Sequence, residues 1–390
     1  MSFEKPKPAQ IEKSQEKELI LQRIEKIKDL WSVLQKHWED SGVADPLAEI
    51  SSEVTQAEEL FKSEIVKMLA CSPEEAEVLY EEARRIKADT IGEPIHLRAA
   101  IYVTNVCRQN CRCCTMRSDN LKEGTVERKR MNKDEIVEAI VQAREGGGIK
   151  DIFIQGGEDV EIISTVIEAV KKAKEDYHDI DITLSFGNLS QEQYKEIYDA
   201  GVRKYVIKIE TANSRIHEEL RSRTIQDRIN YMVSAKEAGL AIGSGNIIGL
   251  PGQTDDDLAS DLIFLGRFGV DEMISSTTYT PSEVLPEPYN RQPAGDWEKT
   301  KRFIALLRYL FPKAYIEVPS NVDGQGIIRK NQEILGQTEL IMAGANDMLV
   351  EFTPQEMAKS YGATATPENR HVVNMEVAQR VVAEVEKLSK

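Results

Sequence analysis

Four of the five cysteines of this 390-residue chain fall between positions 107 and 114: Cys107, Cys111, Cys113 and Cys114. Thiolates a few residues apart on one loop can wrap an iron–sulfur cube. Two spacings are available, C-x3-C-x2-C ending at Cys114 and C-x3-C-x-C ending at Cys113. Three thiolates on a four-iron cluster leave one iron without a protein ligand, open to a small molecule. The competing chemistry is zinc, which wants four ligands in a structural site. The fourth would have to be Cys113, crowded against Cys114, or one of only 5 His. Cys71 stands alone before a helix start and reads as a small buried hydrophobe. An odd, clustered set is not a disulfide framework; it points to a reducing compartment, and the expected location is cytoplasmic.

The residues that must position this loop follow a clear order. Short apolar runs read as strands at 97–104, 151–155, 181–186, 204–209, 241–248, 271–278, 315–318 and 339–343. Amphipathic stretches at 132–146, 160–176, 190–200, 226–238, 254–268, 296–311 and 325–335 separate them. Eight strands alternating with helices predict an α/β fold, a closed (β/α)8 TIM-type barrel. The cysteines then lie on the first β→α loop, at the C-terminal mouth. The run 281–295 is a Pro-rich loop on the same face. Before the barrel, residues 11–40 read as one helix in which Ile20, Ile24, Ile27, Trp31, Leu34 and Trp38 form a seam. That seam either docks on its own chain or meets a partner. Helices are also predicted from Ser51 to about Leu69 and from Ser72-Pro73-Glu74-Glu75 to about Ala88. The expected organisation is an N-terminal helical extension (1–94), the barrel (95–355) and a C-terminal helical tail (356–390).

The C-x3-C-x2-C loop after strand 1 resembles that of the radical S-adenosylmethionine (radical SAM) superfamily. The resemblance assigns a [4Fe–4S] cluster to Cys107, Cys111 and Cys114. Cys113 holds a place the family usually gives to an aromatic; packing is its expected role, with an alternative ligand or redox thiol as the other readings. Gln155-Gly156-Gly157-Glu158-Asp159 resembles the segment whose backbone and acid contact the SAM amino group; the ordinary alternative is a tight turn capping the next helix. Lys208-Ile209-Glu210-Thr211-Ala212-Asn213 resembles a strand-4 segment in which an acid, Glu210, acts with a base, Arg228, on the SAM ribose or carboxylate; the alternative is a Glu–Arg pair bracing the barrel. Relatives often carry Arg-His where this chain has Lys208 and Ile209. Gly243-Ser244-Gly245-Asn246-Ile247-Ile248-Gly249 resembles the adenine-contacting segment, through Gly245, Ile247 and Gly249.

The resemblance covers about 95–355 and is nearest the biotin-synthase-like branch, within it the [FeFe]-hydrogenase maturases of the HydE type, then methylornithine synthase. It implies reductive cleavage of SAM, with a one-electron donor such as ferredoxin or flavodoxin. The resulting 5′-deoxyadenosyl radical acts on a small-molecule or metallocofactor-precursor substrate inside the barrel. The first reading is metallocofactor maturation. Alternatives are an amino-acid mutase, sulfur insertion with help from a partner subunit, and a non-catalytic metal-binding protein docking a partner through its N-terminal helix. Cys71 and Cys113 are too few for a conventional second cluster. A formal net charge of −16 argues against nucleic acid and anionic lipid as partners. No run of 18 apolar residues spans a membrane, and residues 1–10 contain no apolar signal-peptide core.

Overall fold

The computed structural model describes residues 8–41, 46–47, 50–122, 127–270, 272–319, 335–358, 360 and 372–389. The strands are β1 (His96–Thr104), β2 (Asp151–Gly156), β3 (Asp181–Ser185), β4 (Lys204–Val206), β5 (Ala241–Gly243), β6 (Ile247–Ile248), β7 (Met273–Ile274), β8 (Thr277–Thr278), β9 (Tyr315–Val318) and β10 (Asp347–Glu351). The helices are α1 (Pro8–Ser41), α2 (Ser52–Leu69), α3 (Pro73–Thr90), α4 (Ser118–Lys122), α5 (Lys133–Val141), α6 (Ile163–Asp176), α7 (Gln191–Asp199), α8 (Ser214–Arg221), α9 (Ile225–Glu237), α10 (Asp255–Phe268), α11 (Trp297–Leu310), α12 (Leu335–Met342), α13 (Gln355–Ala358) and α14 (Met375–Leu388).

Eight strands pair in parallel in the order β5-β4-β3-β2-β1-β10-β9-β7. A bridge between Ser244 and Ile274 joins the two ends into an almost closed barrel. Beyond it β6 and β8 pair again in parallel. The predicted runs 241–248 and 271–278 are therefore each one strand interrupted by a step. Gly245 makes the step fit: a Cβ there would lie 1.9 Å from the Ser275 carbonyl oxygen. One expectation fails. Residues 339–342 are helical, at the end of α12, residue 343 lies in the turn that follows, and the eighth barrel strand is β10. A short apolar run has no period long enough to separate strand from buried helix. The predicted helix 325–335 falls outside the described residues apart from its last residue.

The seam of α1 docks on the chain itself, against α2, α3, α10 and α11. Trp31 stacks on Phe61 at 5.2 Å and meets Phe311 and Trp38 edge-on. A partner at this helix would instead meet its outer face, where Leu19, Leu21 and Val33 are exposed. Among the described residues no helix is long and apolar enough to cross a membrane.

The bottom of the barrel is closed by charge. Arg98 is buried; its Nε donates to Asp347 Oδ2 at 3.0 Å and its Nη1 to Thr183 Oγ1 at 3.2 Å. His96 bridges Asp347 and Asp151 through its two ring nitrogens. Burial opposes the imidazolium, but the two carboxylates outweigh it and raise the His96 pKa to about 9. The unfolded value is about 6.5. The folded chain therefore gains stability fully below about pH 6.5 and loses it as pH rises through about 9. The melting-temperature gap between the native chain and His96→Asn is expected to shrink steadily between pH 6.5 and 9.5. A gap that widens over that range would contradict this linkage.

Candidate active site at the C-terminal mouth of the barrel

The loop after β1 is fixed at its base by side chains, and its four cysteines are free thiols. Thr104 Oγ1 accepts from the Val106 N–H at 3.1 Å. The Asn105 amide donates to the Glu127 and Ser360 carbonyls at 2.7 and 2.6 Å and accepts from the Lys129 N–H at 2.7 Å. Arg128 donates to the carbonyls of Asn105, Met116 and Arg117. Further along, the Arg112 N–H donates to the Leu220 carbonyl at 2.8 Å, tying the loop to the end of α8.

Gly156 and Gly157 serve this loop directly. A Cβ on Gly157 would lie 2.1 Å from the Val106 carbonyl oxygen, and one on Gly156 2.8 Å from that of Thr104. The Glu158 N–H points at Cys107 Sγ, 3.4 Å away. The Glu158 carboxylate is buried and takes Arg108 Nε at 2.9 Å, the Gln109 amide, and the Asn188 N–H at 3.0 Å. It thereby locks the cysteine loop to the loop after β3. The capping alternative is not what is found: the N-cap of α6 is Ile162, with no side-chain cap. Asp159 instead holds Arg130 through both oxygens and accepts from Thr104 Oγ1 at 3.0 Å.

Glu210 sits just past β4 with φ +65°, an unusual left-handed backbone for a non-glycine residue. Its N–H donates to the Gly245 carbonyl and its own carbonyl accepts from the Ile247 N–H. The carboxylate faces Arg221 at 3.0 Å and Lys208 at 3.7 Å, while its buried Oε2 has no hydrogen-bond partner. Burial pushes this carboxyl up, but the surrounding Lys208, Arg221 and Arg228 hold it below its ordinary value. Arg228 is not the ion-pair partner; it donates to the Lys208 carbonyl at 2.9 Å and to the Asn188 side chain. Burial, with Arg221 nearby, lowers the Arg228 pKa to about 10. Sequence reading missed Arg221, because α8 was not predicted; the Ile216/Leu220 spacing after the N-cap Asn213 was the available signal.

Ile247 lies in a small apolar cluster at the mouth with Ile216, Leu220, Leu250, Tyr279, Leu285 and Tyr289. Cys113 packs against that cluster, whereas Cys107 and Cys114 pack against the main core. Gly249, at φ +94°, lets Gly295 approach: a Cβ would lie 2.4 Å from the Gly295 Cα. The Gly249 and Leu250 N–H groups share Gln253 Oε1. The structure thus gathers every predicted residue around the mouth, Gly156–Glu158 under the cysteine loop and Glu210, Gly245, Ile247 and Gly249 across from it.

Residues 101–265 match the radical SAM superfamily. The chain is 33% identical over 290 residues to the [FeFe] hydrogenase maturase subunit HydE of Thermotoga maritima, covering 73% of this chain and 78% of that one. It is 27% identical over 280 residues to the 3-methylornithine synthase of Methanosarcina acetivorans, covering 70% and 74%. The crystal structure of methylornithine synthase superposes with a TM-score of 0.69 at 21% identity, over 84% of this chain and 92% of that one. That superposition shows the shared fold.

Members of this superfamily use a [4Fe–4S] cluster and S-adenosylmethionine, and the donor set here fits. Burial, and then the neighbouring sulfurs, push the Cys107 and Cys114 thiols up, and coordination to iron would offset that cost by supplying positive charge to the thiolates. No three His, Cys, Asp or Glu side chains among the described residues are arranged about a single ion; a cube of four irons needs its thiolates further apart. Arg221, beside Cys111 and Glu210, places positive charge where the loaded cluster and a ligand carboxylate would put negative charge. Bound here, the pair supplies one-electron cleavage of a sulfonium C–S bond. Loop, barrel and relatives lead to one conclusion: the chain belongs to the radical SAM superfamily and is a radical SAM enzyme.

Proposed function

We propose that this enzyme works in metallocofactor maturation, as the HydE-type maturases do, with Cys107, Cys111 and Cys114 as cluster ligands. Gly156, Gly157, Glu158, Glu210, Arg228, Gly245, Ile247 and Gly249 form the SAM cradle in this reading. The observation that carries it is the 33% identity to the Thermotoga maritima maturase across 78% of that protein. The chain's own residues would close the barrel mouth against water, hold the methionyl end near the cysteine loop through Arg221 and Arg228, and seat the adenosyl end by β6. Ferredoxin or flavodoxin supplies the electron, and the compartment is the cytoplasm. Sulfur insertion is disfavoured by the cysteine count. The test is replacement of the maturase in a reconstituted hydrogenase maturation mixture. Hydrogen evolution from the matured hydrogenase is the expected result. No hydrogen, with lysine converted to 3-methylornithine instead, would overturn this reading in favour of the mutase.

A further inference from the structure

The left-handed backbone of Glu210 is held from several sides. Such a conformation is costly for a residue with a side chain and persists only where its surroundings over-determine it. Both peptide groups of Glu210 bond to the neighbouring segment, the N–H to the Gly245 carbonyl and the carbonyl to the Ile247 N–H, so that Glu210 and Asn246 form a parallel bridge. On the β4 side, the Ile209 carbonyl meets His217 Nδ1 at 2.8 Å. A carbonyl only accepts, so the imidazole carries its proton there.

Three donors around this bridge converge on one carboxylate, that of Asp261 on α10. Its Oδ1 accepts from the Ala212 N–H at 2.6 Å and from Thr211 Oγ1 at 3.3 Å, and its Oδ2 accepts from the Asn246 side-chain amide at 2.7 Å. The first two belong to the residues that follow Glu210, the third to the residue bridged to it. Asp261 is 0% exposed, on a helix whose other buried residues, Leu258, Leu262 and Leu265 among them, are apolar. Burial pushes its carboxyl up to about 7 against the pull of these donors. A buried acid is costly even when its oxygens are satisfied, and an apolar side chain would fill this helix position at less cost. What the acid adds is a tie between two chain segments, which an apolar residue cannot make.

We propose that Asp261 is a positioning residue of the SAM site: by tying the segment after Glu210 to Asn246, it fixes the left-handed turn that aims the Glu210 carboxylate at the ligand. In this role Asp261 touches no ligand and acts through Glu210, whose buried Oε2, without a hydrogen-bond partner, is the acceptor so presented. The role rests on the reading of Glu210 as part of the SAM cradle.

The test is the dissociation constant of SAM from the cluster-loaded enzyme, measured by equilibrium dialysis without oxygen for the native chain, Glu210→Ala, Asp261→Ala and the double variant. Each single variant is expected to weaken SAM about tenfold, and the double variant no more than about twofold beyond Glu210→Ala, because losses routed through one residue do not add. Asp261→Asn is expected to stay within about threefold of native. There the Asn246 amide can turn over, since its buried Oδ1 has no partner and would take the new Nδ2. Losses that multiply in the double variant overturn the role, as does unchanged affinity in Asp261→Ala beside a weakened Glu210→Ala. A loss in Asp261→Asn as large as in Asp261→Ala also overturns it, because the tie would then not be what matters. Unchanged affinity in Glu210→Ala removes the cradle reading itself, and the role with it. Iron content shows whether each variant carries its cluster. If Asp261→Ala does not fold, Asn246→Ala cuts one arm of the tie; a loss that disappears beside Glu210→Ala supports the role, and no loss or a multiplying one overturns it.

Discussion

Cys114→Ala is expected to bring iron and acid-labile sulfide down to background after anaerobic reconstitution, while Cys113→Ala keeps both. The two residues are adjacent in the chain but belong to different surroundings. Cys114 packs with Cys107 against the main core, beneath the turn closed by the Cys114 N–H and the Cys111 carbonyl at 3.3 Å. Cys113 packs against the apolar cluster that contains Ile216, Tyr279 and Tyr289. A cube held by three thiolates has no redundant ligand, so removing one leaves two sulfurs that cannot retain it. SAM cleavage should fall by several orders of magnitude with the iron, because the electron has no other route. The measurement is iron and sulfide analysis with the visible absorption of the cluster. Loss in Cys113→Ala with retention in Cys114→Ala would move the third ligand to Cys113.

Trp31→Ala is expected to lower the stability of the chain by about 3–5 kcal/mol, the usual cost of emptying a buried indole site. Trp31 is 4% exposed and touches Phe61, Phe311 and Trp38. The surrounding helices cannot collapse onto the space, because Gly266 on α10 is already as small as a residue can be; a Cβ there would lie 2.3 Å from the indole. Urea unfolding of the cluster-free chain measures the effect. Val33→Ala, on the exposed face of the same helix, should change stability by no more than about 0.5 kcal/mol. A Trp31→Ala loss below about 1 kcal/mol would mean that α1 is not part of the folded core.

The chemistry of this protein was legible where it is local in sequence. The cysteine spacing, the Gly156-Gly157-Glu158 turn and the strand–helix alternation each depend on residues a few positions apart. The α1 seam was equally readable, since six large apolar residues repeat at helical spacing. What escaped depends on contacts between distant segments. Arg221 matters because α8 folds back until the Leu220 carbonyl meets the Arg112 N–H, and no local pattern announces that. The space that the missing Cβ of Gly157 leaves is filled by the Val106 carbonyl, a contact between segments far apart in the chain. The eighth strand was misplaced because β10 and the end of α12 are both short apolar runs, and only the closure of the sheet against β1 and β9 distinguishes them.

The most direct test of the central claim is the amount of 5′-deoxyadenosine formed when the reconstituted enzyme is given SAM and dithionite without oxygen. The residue set predicts formation that requires Cys107, Cys111 and Cys114 together and is retained in Cys113→Ala. A chain that binds zinc, takes up no iron and releases no 5′-deoxyadenosine would contradict it.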